Sequence, residues 1–274
     1  MIGFIGAGAM GSAIIRGAIA SGTYKAAEIV LTASTPEHAQ TYASELGTEY
    51  ANTAADVVRR CGKDAIIVIA VKPYAVPTVL HEIRAVAAEQ EAVLLSIAAG
   101  TTLDSLAIHL NPGQPIVRAM PNVAASIRQS ITALCPGADV TDSQASEAER
   151  LLSSVGQVIR IAEKDFPTFS ALAGCSPAFT LTYIDAMARA GVKNGLSKKT
   201  AVRIAAQAVL GTALLSLDAV DEPAGSPMDL ADAVQSPGGT TVAGIIALED
   251  AGFGAAVVRG VQAAIDRDIE LQQS

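Results

Sequence analysis

A glycine-rich hexapeptide near the start constrains the fold of this chain most. Residues 6–11 read Gly-Ala-Gly-Ala-Met-Gly and directly follow the apolar run Ile2–Ile5. In a G-x-G-x-x-G pattern between a strand and a helix, the first glycine makes the tight turn and the second lets a pyrophosphate approach the backbone. The third lets the helix pack closely on the strand. The pattern predicts a βαβ unit that binds a dinucleotide, lined by Gly6, Ala7, Gly8, Ala9, Met10 and Gly11.

The first half of the chain alternates apolar, β-branched runs with helical patterns. Strands are predicted at residues 2–5, 28–32, 65–71, 92–97 and 116–119, and helices at 9–21, 36–46 and 74–88. This alternation predicts an α/β fold with a doubly wound, mostly parallel sheet. Residues 131–135 and 157–161 add two late strands at the sheet edge. The sequence therefore predicts a Rossmann domain over residues 1–163.

Beyond residue 163 the pattern changes to helices. Apolar residues recur at helical spacing in residues 166–174, 176–194, 197–218, 226–234, 240–251 and 253–272. Glycine and proline mark the breaks between them, at Gly195, Pro223, Pro227 and the 236–239 turn. The sequence therefore predicts an all-helical domain over residues 164–274.

Composition excludes several classes of function. The net charge is −8 and no basic run occurs, which argues against a nucleic-acid or membrane partner. Three widely spaced cysteines, Cys61, Cys135 and Cys175, fit neither a disulfide framework nor a zinc site, so no metal is expected. The apolar run from Ile204 to Leu217 is shorter than a membrane span, and no signal peptide is evident. We expect a cytoplasmic protein that acts on a small molecule.

The end of the second strand bears on the choice of cofactor. It reads Leu-Thr-Ala-Ser-Thr-Pro over residues 31–36, without the acid that usually holds the ribose 2′-hydroxyl of NAD. Small hydroxyls and free amides at a helix start suit a 2′-phosphate, although no arginine is present to clamp it. The segment favours NADP(H) and leaves NAD(H) open. Ser34 or Thr35 can also cap the next helix, which is compatible with both cofactors.

A second glycine turn lies in the helical half. Residues 236–241 read Ser-Pro-Gly-Gly-Thr-Thr and open directly into an apolar helix. Pro237 has no N–H, Gly238 and Gly239 can take positive φ, and Thr240 or Thr241 can cap the helix. Free amides at a helix start make a carboxylate site. The alternative interpretation is an ordinary loop with a helix cap.

Five segments together resemble the pyrroline-5-carboxylate reductase family in order and spacing. They are residues 6–10, 70–73 (Ala-Val-Lys-Pro), 118–122 (Arg-Ala-Met-Pro-Asn), 188–196 and 235–249. The resemblance implies a helical domain that dimerises two subunits, and a homodimer that can assemble into a decamer of five dimers. It also implies NAD(P)H-dependent reduction of the C=N bond of 1-pyrroline-5-carboxylate to L-proline, in proline biosynthesis.

The same resemblance assigns roles to individual residues. Cofactor contacts beyond the glycine loop would come from Ser34, Thr35, Asn52, Ala70, Val71, Lys72, Pro73, Ala99 and Asn122. The substrate would be held by Gly238, Gly239, Thr240 and Thr241, with the catalytic hydroxyl of Thr241 near the ring nitrogen. His38, His81 and His109 fall on predicted helices of the first domain, so none is expected as a general acid. The iminium substrate is then expected to arrive already protonated.

Departures from the family pattern keep other functions open. Val123-Ala124 replaces a Thr-Pro pair, Cys175 a serine and Ser226 a histidine, and Ala233 stands where the family often has a polar side chain. One alternative is a paralogue that reduces another cyclic imine. Another is a β-hydroxyacid dehydrogenase type, whose catalytic lysine would be sought among Lys193, Lys198 and Lys199. A third is a non-catalytic NAD(P)-sensing protein.

Overall fold

The computed structural model describes residues 1–223 and 225–273. One eight-stranded sheet is present in this part of the chain. Its strands are β1 (Ile2–Ile5), β2 (Ile29–Thr32), β3 (Glu49–Tyr50), β4 (Ile66–Ile69), β5 (Val93–Ser96), β6 (Ile116–Met120), β7 (Ser130–Pro136) and β8 (Gly156–Arg160).

Helices make up most of the remaining chain. The first half contains α1 (Ala9–Ala20), α2 (Pro36–Leu46), α3 (Ala54–Cys61), α4 (Val76–Glu89), α5 (Leu103–Ala107) and α6 (Asp142–Leu152). The second half contains α7 (Phe166–Phe169), a π-helix (Ser170–Cys175), α8 (Ser176–Lys193), α9 (Lys198–Ala219), α10 (Pro227–Ala233), α11 (Thr240–Asp250) and α12 (Phe253–Gln273).

The strand order confirms the predicted fold class. It runs β3-β2-β1-β4-β5-β6-β7-β8, and all neighbours from β3 to β6 are parallel. β7 pairs antiparallel with β6, and β8 is parallel to β7 at the edge. This is the doubly wound order of dinucleotide-binding domains, in which the ligand crevice lies where the order reverses. Here that point is the junction between β1 and β4.

The sheet is buried on both faces, as its apolar runs predict. Every residue of β1, β2, β4 and β5 is buried, because helices cover the sheet from both sides. On one face Ile14 and Ile15 of α1 pack in a cluster with the strands. On the other face Val57 of α3 and the α4 residues Leu80 and Ile83 form a second cluster. Each such side chain contributes about 1.5–3 kcal/mol when fully buried.

Some elements were not visible in the sequence pattern. β3, α3, α5 and α6 were not predicted, and three of these four are eight residues long or shorter. Hydrophobic periodicity needs a window of about 11 residues or more, so short elements leave no clear signal. His109 was predicted on a helix. This was wrong, because α5 ends at Ala107 and His109 lies in the turn that follows.

The chain divides into two compact units. Unit 1 is Met1–Gly174 together with the end of the chain from Ile265, and unit 2 is Cys175–Ala264. The predicted domain limits, residues 1–163 and 164–274, stay predictions. Residues 224 and 274 of the predicted helical domain lie outside the described residues.

Unit 2 leaves many large apolar side chains exposed. Leu181 of α8, Leu215 of α9 and Val258 of α12 are 63–70% exposed. α9 is also long and apolar enough to cross a membrane by length and composition alone, a property that packed helices of soluble proteins share. Leu80 and Ile83, by contrast, are fully buried within unit 1. The helices of unit 2 therefore present apolar surface that the single chain does not cover.

Candidate cofactor and substrate sites

The carboxyl ends of the central strands meet at one edge of the sheet in unit 1. The N–H of Gly6 donates to the carbonyl of Thr32 at 3.0 Å, and the N–H of Ala70 donates to the carbonyl of Ile5 at 2.8 Å. These bonds hold the loops after β1, β2 and β4 side by side. The topological switch point therefore carries the predicted glycine loop.

The three glycines of the G-x-G-x-x-G motif, Gly6, Gly8 and Gly11, differ in what surrounds them. Gly6 has φ +103°, and a Cβ there would lie 2.6 Å from the carbonyl oxygen of Ala70. A Cβ on Gly11 would lie 2.3 Å from the carbonyl oxygen of Gly6. Around a Cβ on Gly8, no described atom lies within 4 Å. The turn and the helix packing thus need Gly6 and Gly11 sterically, whereas Gly8 faces open space that a ligand can enter.

The start of α1 offers main-chain donors. Gly8 is the N-cap and supplies no side chain to cap the helix. The first main-chain bond of α1 runs from the N–H of Ser12 to the carbonyl of Gly8 at 2.9 Å. The N–H groups of Ala9, Met10 and Gly11 precede that bond, so they are available to an anion at the helix start. The cradle fits the pyrophosphate of a dinucleotide.

The tip of β2 carries small hydroxyl groups. Thr35 is the N-cap of α2, and its Oγ1 accepts the N–H of His38 at 3.3 Å. Ser34 is exposed, and its Oγ lies 3.2 Å from Nδ1 of His38. Glu37, in the first turn, has a pKa below its usual value, chiefly because its own backbone N–H donates to its carboxylate. The structure thus gives Thr35 a capping role and leaves the Ser34 hydroxyl exposed, within hydrogen-bond distance of His38.

The remaining predicted cofactor residues lie in loops at the same edge. Asn52 is exposed after β3, and Ala99 is exposed in the turn after β5. Ala70–Pro73 follows β4, and Lys72 is exposed at the N-cap of a short 3₁₀ helix. Its ammonium forms no ion pair within residues 1–223 and 225–273. It is therefore free to meet an anionic group.

Asn122 makes three hydrogen bonds to other residues of unit 1. Its Nδ2 donates to the carbonyl of Ala173 at 3.0 Å, and its Oδ1 accepts the N–H of Ala124 at 3.2 Å. Its own backbone N–H donates to the Oγ of buried Ser130 at 3.1 Å. One N–H and one lone pair of the amide therefore remain for a ligand.

The second glycine turn, in unit 2, is a tight four-residue turn. The N–H of Gly239 donates to the carbonyl of Ser236 at 2.9 Å, with Pro237 and Gly238 between them. Gly238 has φ +68°, so proline followed by a positive-φ glycine matches a type II turn. Gly239 has φ −78°, and a Cβ there would lie 2.3 Å from the Oγ of Ser236. A side chain at residue 239 would therefore require Ser236 to move, and positive φ is not what the position demands.

The predicted threonine cap is wrong. The N-cap of α11 is Gly239, without a side-chain cap, and Thr240 is already the first helical residue. The first main-chain bond of the helix joins the N–H of Ala243 to the carbonyl of Gly239 at 3.3 Å. The N–H groups of Thr240, Thr241 and Val242 precede it and remain available to a carboxylate. The N–H of Gly239, in contrast, is already used within the turn.

An ion pair beside the cofactor edge was missed in the sequence. Arg118 is 3% exposed, and its Nη1 donates to the Oε1 of Glu163 at 2.9 Å. The guanidinium carbon lies 4.1 Å from the ring centroid of Phe166. The same Glu163 oxygen accepts the N–H of Leu103 at 2.6 Å. The available signal was a single arginine in the otherwise apolar strand β6, but its partner is 45 residues away.

Comparison with known proteins assigns relatives to both halves of the chain. Residues 163–271 match the family model described as pyrroline-5-carboxylate reductase dimerisation. Residues 1–100 match the model described as NADP oxidoreductase, coenzyme F420-dependent. The pyrroline-5-carboxylate reductase of Escherichia coli K12 is 36% identical over 100% of this chain and 98% of its own length.

Two solved structures give the same result in three dimensions. The 1-pyrroline-5-carboxylate reductase of Streptococcus pyogenes superimposes with a TM-score of 0.84 at 37% identity, over 97% of each chain. The pyrroline carboxylate reductase of Plasmodium falciparum, solved with NADP bound, has a TM-score of 0.84 at 28% identity. That alignment covers 99% of this chain and 97% of the other.

Proposed function

The chain belongs to the pyrroline-5-carboxylate reductase family, and we propose that it prefers NADPH and holds its substrate at the glycine turn of residues 236–241. The protein is an NAD(P)-dependent oxidoreductase that reduces the imine of 1-pyrroline-5-carboxylate to L-proline, a reaction of proline biosynthesis. The observation that carries the assignment is the family match over the whole chain, including the helical half.

The proposed cofactor site is the carboxyl edge of the sheet. The pyrophosphate would lie on the N–H groups of the first turn of α1, in the open space beside Gly8. Lys72 and the loop Ala70–Pro73 would line the site beyond it, with Asn52 and Ala99. NAD(P)H supplies the hydride when it is bound. The task of these loops is to hold the donor about 3–3.5 Å from the imine carbon.

Thr241 is the proposed catalytic residue. Its hydroxyl is exposed and has no hydrogen-bond partner in the described part of the chain, so it is free to meet the ring nitrogen. The N–H groups of Thr240 and Thr241 would hold the substrate carboxylate, with the exposed Gly238 beside them. This arrangement positions an iminium that is already protonated, so the site needs no strong general acid.

Replacement of Thr241 tests this role. Thr241→Ala should lower kcat roughly ten- to a hundredfold, which corresponds to about 1.4–2.7 kcal/mol. Thr241→Ser keeps the hydroxyl and should retain most of the turnover. Equal turnover in the alanine variant and the wild type would contradict the role, provided that both variants bind NADPH equally well.

The proposed NADPH preference rests on the tip of β2. Ser34 and Thr35 offer hydroxyls where an NAD-selective site usually has an acid, and Ser34 faces solvent. Steady-state rates with NADPH and NADH at matched concentrations measure the preference. Ser34→Asp should weaken NADPH more than NADH, because it places a carboxylate beside the 2′-phosphate. A higher kcat/KM for NADH in the wild type would contradict the proposal.

A cyclic-imine paralogue remains the second candidate for the substrate. Exposed Val123 and Ser226 stand at two positions where the chain departs from the family pattern. Rapid oxidation of NADPH with 1-pyrroline-5-carboxylate, giving proline, supports the first candidate. Binding of NADPH without turnover would redirect the assay to a panel of other cyclic imines. The hydroxyacid-dehydrogenase alternative loses support because the reductase family match covers the whole chain, including the helical half that holds Lys193, Lys198 and Lys199.

We also propose a homodimer, able to assemble into a decamer of five dimers, located in the cytoplasm. The dimerisation domain implies homo-oligomerisation. The exposed apolar residues of α8, α9 and α12, which include Leu181, Leu215 and Val258, are the proposed contact surface. Light scattering coupled to size exclusion measures the assembly, and a monomer at micromolar concentration would contradict it. Cell fractionation tests the location, and recovery of the protein in the membrane fraction would contradict it.

A further inference from the structure

We propose that Asn122 is a positioning residue, whose side-chain amide replaces a main-chain donor that Pro177 lacks. In this role Asn122 fixes the chain at the end of unit 1 and sets how α8 begins. The inference rests on the bonds of Asn122, on the π-helix and on the position of Pro177.

A π-helix connects the two compact units. Residues Ser170–Cys175 continue α7 directly into α8, and the division between the units falls between Gly174 and Cys175. Short π-helical turns within α-helices are rare, have an identifiable local cause and are frequent at functional sites. We assign the local cause of this π-helix to Pro177, which lies four residues after Ala173.

Pro177 removes one donor from this junction. In an α-helix the N–H of residue 177 would donate to the carbonyl of residue 173, but proline has no N–H. The carbonyl of Ala173 receives the Nδ2 of Asn122 at 3.0 Å. Ala173 is 6% exposed, so water has little access to satisfy the carbonyl in its place. The asparagine thus supplies a donor in place of the α-helical one that Pro177 removes.

Asn122 is rigid enough for this task. Its Oδ1 accepts the N–H of Ala124, which fixes the plane of the amide, and its backbone N–H is tied to buried Ser130. A second close approach lies beside it, since a Cβ on Gly174 would be 3.1 Å from Cε of Met120. The loop after β6 and the π-helix are therefore joined by a hydrogen bond and by tight packing.

This junction lies next to the cofactor edge. Met120 ends β6, and Asn122 follows at the same carboxyl edge that carries the glycine loop. Loss of the Asn122 bond should disturb the π-helix and the first turn of α8, while the main-chain cradle of α1 stays intact. Turnover should therefore depend on Asn122 more strongly than NADPH binding does.

The test combines Asn122→Ala with Pro177→Ala. Asn122→Ala should lower kcat on the order of tenfold with a change in the NADPH Kd of less than about threefold. Adding Pro177→Ala restores an N–H at residue 177, so the double variant should recover to within about threefold of the wild-type kcat. Asn111→Ala is the matched control. It removes the same amide, bonded to Arg84, at the opposite end of β6, and should leave kcat unchanged.

Two results would overturn the proposal. One is an NADPH Kd that rises as much as kcat/KM falls, which would make Asn122 a cofactor ligand. The other is a double variant no more active than Asn122→Ala. If Asn122→Ala does not fold, Asn122→Asp with and without Pro177→Ala gives the same test, because aspartate keeps the acceptor for Ala124 and loses the donor. Wild-type enzyme without activity on 1-pyrroline-5-carboxylate would instead count against the assigned reaction.

Discussion

Two helices, one in each unit, begin behind a glycine that offers no side-chain cap. They are α1, which follows Gly8, and α11, which follows Gly239. Six other helices begin behind a serine or threonine whose side chain accepts a main-chain N–H: Thr35, Thr53, Thr102, Thr141, Ser197 and Ser226. The helices α4, α7 and α8 also lack a side-chain cap, but the residue before each of them is already helical, whereas Gly8 and Gly239 have extended backbone. Among the helices that start from extended backbone, side-chain caps are thus absent at the two turns proposed to bind ligand anions.

The two glycines differ in what requires them. A Cβ on Gly8 would meet no described atom within 4 Å, whereas one on Gly239 would lie 2.3 Å from Oγ of Ser236. The fold therefore does not require glycine at residue 8, and we expect glycine to matter there only for the approach of a ligand. A side chain at residue 239 requires Ser236 of the same turn to shift. Substitutions at the two positions should separate ligand binding from local structure.

The largest expected effect is that of Gly239→Ala. The new Cβ displaces Ser236 and shifts the N–H groups of Thr240 and Thr241, so kcat/KM for the imine should fall on the order of a hundredfold or more. The NADPH Kd should stay within about threefold, because the nucleotide cradle lies in unit 1. Ser236→Ala/Gly239→Ala is the control, since removing the Oγ relieves the closest contact and should restore part of the activity. An active Gly239→Ala enzyme would mean that the turn does not hold the substrate.

Gly8→Ala should have the next largest effect, and this effect should fall on NADPH binding instead of on the imine substrate. The backbone of Gly8 has φ −66°, which alanine adopts without strain, so the melting temperature should not change. The methyl group occupies the space proposed for the pyrophosphate, and the NADPH Kd should rise roughly tenfold to a hundredfold. Titration of NADPH fluorescence measures it. Unchanged affinity would place the pyrophosphate elsewhere.

Thr141→Ala tests the capped class of helix. Thr141 and Gln144 form a reciprocal capping box at the start of α6. Removing the hydroxyl should lower the free energy of unfolding by about 1 kcal/mol, with kcat and both affinities unchanged. Denaturant unfolding with a parallel activity assay gives both values. A loss of activity without a loss of stability would break the distinction between scaffold caps and ligand-binding helix starts.

The smallest expected effect concerns the pKa of Glu37, a carboxylate in the first turn of α2. Its pKa is lowered first by its own backbone N–H and then by the hydroxyl of Thr35. Because the pKa of Glu37 is lower in the folded than in the unfolded protein, its carboxylate stabilises the fold at pH values above the ordinary glutamate pKa. This stabilisation is lost as the pH falls through the pKa of the folded state. Thr35→Ala should move the pKa of Glu37 back towards its usual value in an NMR titration. No movement would contradict the contribution assigned to the Thr35 hydroxyl.

The sequence predicted the fold well where the signal is local. Apolar runs located the strands β1, β2, β4 and β5, and the change to helical periodicity located the second half of the chain. Gly6 and Gly11 were also assigned correctly, because their roles depend on backbone approach within one short motif. The short helices α3 and α5 escaped, because pattern reasoning needs several turns of regular spacing.

Long-range partners could not be predicted. The bonds from Asn122 to Ala173 and from Arg118 to Glu163 join residues 51 and 45 positions apart. The local sequence does not specify the partner of a buried polar group, because the partner is brought close only by the tertiary fold. The occupied N–H of Gly239 was missed for a related reason, since a composition of glycine and proline does not reveal which amide closes the turn.

A crystal structure with NADP⁺ and L-proline would show whether the two uncapped helix starts bind the ligand anions. We expect the pyrophosphate on the N–H groups of residues 9–11, and the proline carboxylate on the N–H groups of Thr240 and Thr241, with the Thr241 hydroxyl beside the ring nitrogen. A proline carboxylate bound by a lysine or arginine side chain, with the start of α11 empty, would contradict it.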